Sequence, residues 1–418
     1  MMGPFDRDFW RSPLRGPWLA SLLSAALLPL ILLTAATGFF SHVAYETELT
    51  GNALGGGDGI LAPVYRALDW PAGWAYLYAV NQGVHIVAGF AAAPLLLAKL
   101  WVVIPKLWER PAVRSVAHAL ERLSLALLVG GTLFVFVTGV FNIQIYYPWS
   151  FSFVPAHYYA TFIFLGALAF HIALKLGVMR TAFRENGVLR PLRRDLAGTR
   201  AEAVPASESV PTDPRPASIS RRGFVAVVGS TSLGLTIMMA GQSIGGPLRN
   251  LALLAPRGRE YGSGPNDFQI NKTAASAGID SVQAGPTWTL RVSGREEATL
   301  TRDELLTMEQ ATHELPIACV EGWTTKQTWT GVPLVALARL VGSMDADELT
   351  VESLQESGSF RDASLGPAQF TDPRSLLALK VNGADLSMDH GFPARVIVPA
   401  LPGVHNTKWV ATMTFRSA

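Results

Sequence analysis

Residues 123–174, LSLALLVGGTLFVFVTGVFNIQIYYPWSFSFVPAHYYATFIFLGALAFHIAL, contain no Asp, Glu, Lys or Arg in 52 consecutive positions. A helix needs about 20 apolar residues to cross the hydrocarbon core of a bilayer. This stretch is therefore too long for one span. The tetrapeptide YYPW at 146–149 interrupts it with a helix-breaking proline and with aromatic side chains typical of a membrane interface. We therefore predict two membrane helices here, roughly 123–145 and 155–174.

Three further runs also lack charged side chains: 18–40, 75–98 and 223–248. Only 16% of the 418 residues are charged, whereas a soluble protein carries about a quarter. The predicted fold is a transmembrane four-helix bundle within residues 1–180, followed by a fifth, anchoring helix at 223–248. The net charge of +2 is too small to indicate nucleic-acid binding, and no basic stripe with interleaved aromatics is present.

The charges of the connecting segments predict the orientation. Residues 41–73 contain four acidic residues and one arginine, whereas 99–122 contain five basic and two acidic residues. Residues 180–222 carry nine arginines. Positively charged loops stay in the cytoplasm, so the N-terminus is expected there. The domain of residues 249–418 is then extracytoplasmic, in a multi-pass protein of the bacterial cytoplasmic (inner) membrane.

Residues 181–222 are predicted to form a cytoplasmic linker. Its segment 201–218 is rich in Pro, Ala and Ser, a composition typical of flexible linkers. The linker ends in SRRGFV at 220–225, which is similar to a twin-arginine export signal. Such a signal would let twin-arginine export machinery move a domain that has already folded around a bulky cofactor. The alternative is ordinary positive flanking of a membrane helix.

Five histidines lie in or near the predicted spans, at positions 42, 85, 118, 157 and 171. Ionisable groups within a bilayer are costly and usually functional. His157 and His171 are 14 residues apart, which places them on one helix face and roughly 21 Å apart along the axis. This spacing suits two haem b groups stacked across the membrane, each taking an axial imidazole from this helix, and the number of haems is left open at one or two. His85 is expected to supply an opposing ligand and His118 to face His171, although an interfacial histidine such as His118 is as often simply solvated.

The chain contains a single cysteine, Cys319, so no internal disulfide is possible. A lone cysteine is either a small buried hydrophobe or a chemical group. Cys319 lies in the first of four distinctive blocks, which are LPIACVEGW (315–323), WTGVPL (329–334), HGFPARVIVP (390–399) and GVHNTKW (403–409).

Residues 249–418 have the composition of a soluble α+β domain, with short β-rich runs such as 288–292 and 395–398 broken by Gly and Pro. The four blocks, in this order within residues 260–418, resemble the sulfite oxidase family of molybdopterin domains. The run Cys-Val-Glu-x-Trp is more similar to the branch containing the periplasmic methionine-sulfoxide reductase. The membrane part resembles a bundled cytochrome b, but the position 14 residues after His85 is Lys99 rather than histidine.

The resemblance implies a molybdenum–molybdopterin cofactor with Cys319 as the metal ligand. A soft thiolate suits a metal that changes oxidation state while keeping its ligand. A phosphate is best held by Arg and Lys charges with hydroxyl and backbone donors. Glu321 is expected either to line the substrate pocket or to be a salt-bridged carboxylate. The cofactor-binding residues that the resemblance implies are Asn266, Phe268, Gln269, His390, Arg395, Asn406, Thr407 and Lys408.

Together these features predict an oxidoreductase that exchanges electrons between the quinone pool, through haem b, and a small extracytoplasmic substrate. The carboxylate and aromatic side chains after Cys319 favour a neutral substrate such as a sulfoxide or a similar S- or N-oxide. The alternatives are a sulfite-type dehydrogenase that passes electrons into the membrane and a non-catalytic, membrane-anchored binding module.

Overall fold

The computed structural model describes residues 9–45, 70–108, 113–202, 210–211, 213–358 and 360–417. Most of the segment 41–73 and part of the predicted linker at 201–218 lie outside the described residues. The chain forms two compact units. The first comprises Met1–Ala36, His85–Asn142 and Tyr147–Met238, and the second comprises Thr37–Val84, Ile143–Tyr146 and Met239–Ala418.

Five long helices carry the apolar sequence: α1 Pro17–Tyr45, α2 Leu77–Val103, α3 Val116–Ile143, α4 Phe153–Asn186 and α5 Arg221–Ile244. Within the described residues, each is long and apolar enough to cross a membrane. Large aliphatic side chains such as Leu97, Ile163 and Leu233 are 56–60% exposed along these helices. Such continuous exposed apolar surface is costly in water and normal in lipid. The chain is a membrane protein.

The first unit is a helical bundle packed through the inner faces of its helices. Trp18 and Leu19 of α1 and Val102 of α2 are fully buried, in one cluster with Ala182 of α4 and Val228 of α5. A second cluster joins the three helices α1, α2 and α4 through Leu27, Ile31, Ala92, Leu96 and Phe164. The bundle therefore packs mainly through Leu and small residues.

Helix α4 is longer than the predicted 155–174. It continues through Lys175 and Arg184 to Asn186, where Gly187 ends it with a positive φ of 72°. Lys175 donates to the Glu121 carboxylate of α3 at 2.7 Å. Basic side chains can extend to the membrane surface, so the helix does not have to stop where the apolar run stops.

The second unit contains the predicted α+β domain, built on two sheets. Its strands are β1 Thr289–Ser293, β2 Glu297–Thr301, β3 Ala311–Ala318, β4 Thr324–Pro333, β5 Glu348–Ser353, β6 Asp362–Leu365, β7 Leu376–Val381, β8 Ala384–Asp385, β9 Arg395–Ile397 and β10 Val410–Arg416. One sheet has the order β2-β1-β10-β5-β6, with only β1 and β10 parallel. The other has the order β3-β4-β7-β8, with β9 also paired to β7. The short helices are α6 Ala274–Ala277, α7 Arg302–Thr307, α8 Leu334–Leu340 and α9 Pro367–Phe370.

The core of this domain follows from the patterning of its strands. β1 alternates, burying Leu290 and Val292 and exposing its other face, whereas β7 is buried on both faces. Gly331 lies where β4 and β7 shift register, and a Cβ there would fall 2.0 Å from the Leu377 carbonyl oxygen. Only glycine permits that approach. The predicted layout of apolar helices followed by an α+β domain is confirmed.

The second unit also includes the ends of four long helices, α1, α2, α3 and α5, which the sequence placed in the bundle and its anchor. Ala44 of α1 and Tyr78 and Ala79 of α2 belong to the main core cluster of the α+β domain. Trp70 donates from its indole nitrogen to the Ala400 carbonyl at 2.7 Å. These residues pack against the domain as part of its own core.

Candidate active site

Cys319 lies at the tip of the hairpin formed by β3 and β4, whose register runs from Ala311 opposite Gly331 to Ala318 opposite Thr324. We call residues 319–323 the Cys319 loop. Its backbone closes on itself, because Cys319 N donates to the Trp323 oxygen at 3.0 Å and Gly322 N to the Cys319 oxygen at 2.9 Å. Gly322 has a φ of 87°, which favours glycine. The two strands therefore hold the cysteine in one position.

The Cys319 thiol is buried, at 8% exposure, in a cluster with Phe268, Ile317, Trp323 and Trp329. Burial, reinforced by the negative charge of Glu321, raises the pKa of this thiol well above its usual range. In this pocket the thiolate needs an added positive charge, which a bound metal supplies. Cys319 therefore has the chemistry of an inert thiol or of a metal ligand, and does not fit an exposed redox thiol.

Glu321 is held in an ion pair. Arg257 donates to both carboxylate oxygens, Nε to Oε2 at 2.9 Å and Nη2 to Oε1 at 2.7 Å. The indole nitrogen of Trp323 donates to Oε2 at 2.9 Å. The predicted salt bridge of Glu321 is therefore present, and its place in a substrate pocket stays a prediction. Because Arg257 lies in an irregular segment 64 residues earlier, no local pattern in the sequence could have indicated it.

The first predicted cofactor segment lies against the block that begins at His390. The Asn266 side chain accepts from Ser387 N at 2.8 Å and donates to the Asp385 oxygen at 3.0 Å. His390 Nε2 lies 2.9 Å from the Asn266 oxygen. The Phe268 ring stacks on the His390 ring at 3.7 Å between centroids. Since Phe268 also packs in the Cys319 cluster, the two sequence blocks meet at one place.

Two cations are buried in this region. Arg395 is 4% and Lys408 is 7% exposed. Burial lowers the pKa of Arg395 to about 9. Burial first, and then the Arg395 charge, lower the pKa of Lys408 well below its usual value. The pKa of His390 falls to about 3 for the same two reasons in the same order. Lys408 Nζ donates to the carbonyls of Lys272 and Asp389 at 2.6 and 2.8 Å. Buried cations held mainly by carbonyl oxygens favour an anionic ligand.

Four further polar atoms in this region are buried without a hydrogen-bond partner among the described residues, and we call the residues that carry them the polar cradle. They are Gln269 Oε1, Arg395 Nε, Asn406 Nδ2 and Thr407 Oγ1. A buried polar group without a partner costs about 1–3 kcal/mol. All four belong to the residues predicted to bind the pterin. Their donors and acceptors fit a polar, phosphate-bearing group.

In the first unit, His85 of α2 and His157 of α4 face each other, with ring centroids 6.2 Å apart and planes at 75°. Two metal–imidazole bonds of about 2 Å plus the two ring radii come to roughly 6 Å. His85 Nδ1 lies 2.8 Å from the Thr34 oxygen, and His157 Nδ1 lies 3.2 Å from Thr138 Oγ1. A metal-bound histidine usually makes such a contact through its other nitrogen. The separation of the two rings therefore matches that of two imidazoles that would hold one metal ion between them.

Glycine provides the room for this pair, since a Cβ at Gly139 of α3 would come within 3.1 Å of the His157 ring.

The other two predicted haem ligands have different surroundings. His118, at the start of α3, accepts a hydrogen bond through Nδ1 from Arg114 N at 3.1 Å. His171 lies two turns beyond Phe164 on α4 and is partly exposed. The structure thus brings together His85 and His157, whereas the described residues show no comparable ring pair for His118 and His171.

Residues 277–418 match the family model of the oxidoreductase molybdopterin binding domain. The α+β part of the chain is therefore a molybdopterin-binding oxidoreductase domain. It is homologous to sulfite oxidase and to the catalytic subunit of protein-methionine-sulfoxide reductase.

Three relatives illustrate the range of this similarity. The catalytic subunit MsrP of protein-methionine-sulfoxide reductase from Xanthomonas campestris pv. campestris is 29% identical over 36% of this chain and 51% of its own length. The putative protein-methionine-sulfoxide reductase subunit YedZ1 from Azospira oryzae is 30% identical over 30% of this chain and 47% of its own. Sulfite oxidase from Arabidopsis thaliana is 35% identical over 19% and 21%, respectively. The chain spans about half, or less, of each relative.

Proposed function

We propose that this chain is a membrane-bound, molybdenum-dependent oxidoreductase that reduces a small extracytoplasmic substrate with electrons from the quinone pool, carried through haem b. The observation that supports it most is the buried Cys319 thiol in one cluster with Phe268, next to cationic and unpartnered polar side chains. The substrate we favour is a sulfoxide or a similar S- or N-oxide.

The residues divide into two roles around the cofactor. Cys319 would ligate molybdenum, which when bound supplies oxygen-atom transfer coupled to two electrons. Arg395 and Lys408 would neutralise the pterin phosphate, with Thr407 and Asn406 donating to it. Gln269 would accept from the pterin ring, and Asn266, Phe268 and His390 would form the wall on which it packs. Because these side chains are buried, they would exclude water from a bound pterin.

His85 and His157 would hold a haem b in the bundle, which when bound carries one electron at a time. One relative is named a putative subunit and another the catalytic subunit of protein-methionine-sulfoxide reductase, and this chain is similar to about half of each. The balanced reaction is sulfoxide plus quinol giving thioether, quinone and water. Quinol supplies two electrons and two protons, and the sulfoxide oxygen leaves as water.

Glu321 bears on the charge of the substrate. Its carboxylate neutralises Arg257, so this ion pair contributes no net positive charge beside Cys319. An anion such as sulfite gains little from a neutralised arginine. A neutral S-oxide is therefore the substrate class we propose. The non-catalytic binding module is disfavoured, because the matched relatives are oxidoreductases.

The proposed topology places the α+β domain outside the cytoplasmic membrane after twin-arginine export. Arg221 begins α5, is 2% exposed and donates to the Arg200 carbonyl at 2.7 Å, whereas Arg222 is exposed. Export machinery would have to bind Arg221 and Arg222 before Arg221 becomes buried. Replacement of both arginines by lysine should leave the domain protected from protease added outside spheroplasts, whereas the native chain should be cleaved.

The proposal is tested by metal analysis of the purified, detergent-solubilised protein. We expect about one molybdenum per chain, with molybdenum lost in Cys319→Ser and iron retained. His157→Ala should lose iron and retain molybdenum. Iron without molybdenum in the native protein would refute the molybdenum assignment. Molybdenum without a reduced haem b spectrum would refute the electron route.

A sulfite-type dehydrogenase is the second candidate, and the relative named sulfite oxidase favours it. Turnover decides between the two directions. Methionine sulfoxide and dimethyl sulfoxide should be reduced with a quinol donor, and sulfite should not reduce the haem. Rapid haem reduction by sulfite, with no turnover of either sulfoxide, would establish the dehydrogenase instead.

A further inference from the structure

Side chains from the ends of two long helices bind three consecutive carbonyls that follow Cys319. Gln82 of α2 donates to the Val320 oxygen at 2.7 Å. Gln242 of α5 donates to the Glu321 oxygen at 3.1 Å, and Ser243 to the Gly322 oxygen at 2.5 Å. All of these residues belong to the second compact unit.

These contacts are built into the structure. Gln82 is 7% exposed, and its amide oxygen accepts from Ser41 of α1 at 2.8 Å, which orients its NH₂ group towards the loop. A Cβ at Gly83 would lie 3.2 Å from the Ser243 Cβ, so glycine lets the two helices approach each other at this level. Three helices thus contribute to holding one loop.

Gln242 indicates that this arrangement serves more than stability. It is 2% exposed, and its amide oxygen is buried with no hydrogen-bond partner. Burying an unpaired amide oxygen costs free energy that an apolar side chain of the same size would not. A buried, unpaired polar group requires an explanation. Here the NH₂ group of Gln242 donates to the carbonyl of Glu321, two residues after Cys319.

We propose that Gln82, Gln242 and Ser243 are positioning residues, which hold the Cys319 loop so that the sulfur presents one geometry to molybdenum through the redox cycle. The inference rests on the proposed function for the identity of the metal. Groups that orient a metal ligand typically change metal affinity or activity by about 10–100-fold when removed. Gln82 precedes the predicted haem ligand His85 by three residues in the sequence, so one helix carries both assignments.

The experiment compares Ser243→Ala and Gln242→Met in the full-length holoenzyme. The matched control is Gln310→Met, because the Gln310 amide also donates to backbone carbonyls, Leu305 O and Met308 O at 2.8 and 3.1 Å. The measurements are molybdenum per chain, the Mo(V) electron paramagnetic resonance spectrum, turnover with a quinol donor, and thermal unfolding. Ser243→Ala removes one oxygen atom, which keeps the test valid should Gln242→Met fail to fold.

We expect an altered Mo(V) spectrum and a loss of turnover of about tenfold or more in both loop variants, with native values in Gln310→Met. An unchanged spectrum and native turnover, with a lower unfolding temperature, would mean that the contacts only tether the domain, and would overturn the inference. A native protein that lacks molybdenum would overturn both this inference and the proposed function. If the native protein contains molybdenum and the Mo(V) spectra of Ser243→Ala and Gln242→Met equal the native spectrum, this inference alone is overturned.

Discussion

The Cys319 loop and the polar cradle differ in how their buried polar atoms are satisfied. In the loop, side chains donate to the carbonyls of Val320, Glu321 and Gly322, and the Glu321 carboxylate accepts three hydrogen bonds. In the cradle, four polar atoms have no hydrogen-bond partner among the described residues, and the neighbouring Lys408 Nζ donates to two backbone carbonyls. The loop is complete within the protein, whereas the cradle would be completed by its ligand.

The largest effect is expected for Arg395→Met. Loss of a charge-assisted contact worth about 1.5–3 kcal/mol should weaken cofactor retention roughly 10–100-fold. The cofactor-free protein should be as stable as the native one or more stable, because a buried cation is replaced by an apolar side chain. Molybdopterin content and thermal unfolding of both forms measure this. Arg291→Met, on the exposed face of β1, is the control. The comparison would be contradicted if Arg395→Met kept its full molybdopterin content and its cofactor-free form were less stable than the native cofactor-free protein.

Glu321→Gln tests the loop. It should destabilise even the cofactor-free protein, by about 1–3 kcal/mol, because Arg257 loses its charged partner in a mostly buried site. Chemical denaturation gives the free energy of unfolding. Glu314→Gln is the matched control, since its ion pair with Lys326 is about half exposed and should contribute about 0–1 kcal/mol. Equal effects of the two substitutions would remove the contrast between loop and cradle.

His390 predicts a pH dependence for the cradle. Its pKa falls from 6.5 to about 3 on folding, so the unfolded chain takes up the proton first as the pH drops. The cofactor-free protein should therefore lose stability between pH 6.5 and 3, by at most about 1.4 kcal/mol per pH unit from this group. Unfolding of the native chain and of His390→Gln at pH 7 and pH 5 measures the slope. If the free energy of unfolding falls by the same amount from pH 7 to pH 5 in both proteins, His390 does not cause the pH dependence.

The smallest effect is expected for Thr407→Val. The hydroxyl that this change removes has no partner in the protein, so the cofactor-free form should keep or slightly gain stability. Cofactor retention should fall about fivefold, corresponding to one neutral hydrogen bond of about 1 kcal/mol. Equilibrium dialysis against molybdopterin measures retention. Thr307→Val, whose hydroxyl donates to the Glu304 carbonyl, is the control, and equal retention in both variants would exclude Thr407 from the cradle.

The sequence predicted the elements that local chemistry dictates. Five uncharged runs had to be helices, because a bilayer leaves no other way to satisfy the backbone, and α4 exceeded its run only because basic side chains can reach the interface. The four blocks around Cys319 identified the domain, and their residues do meet in space. His85 was expected to supply a ligand opposite helix α4, and its ring faces that of His157; the roles of these residues stay predictions.

The sequence alone could not place Arg257, Gln82, Gln242 or Ser243 at the site. These residues belong to no motif, and their hydrogen bonds to the Cys319 loop span 64 to 238 positions of the sequence. Periodicity and motif chemistry are local properties of a chain, so the sequence determined the spans, the domain and its cysteine. Which side chains satisfy a buried loop, and which polar atoms remain for a ligand, depends on packing between distant segments, and only the tertiary structure decided it.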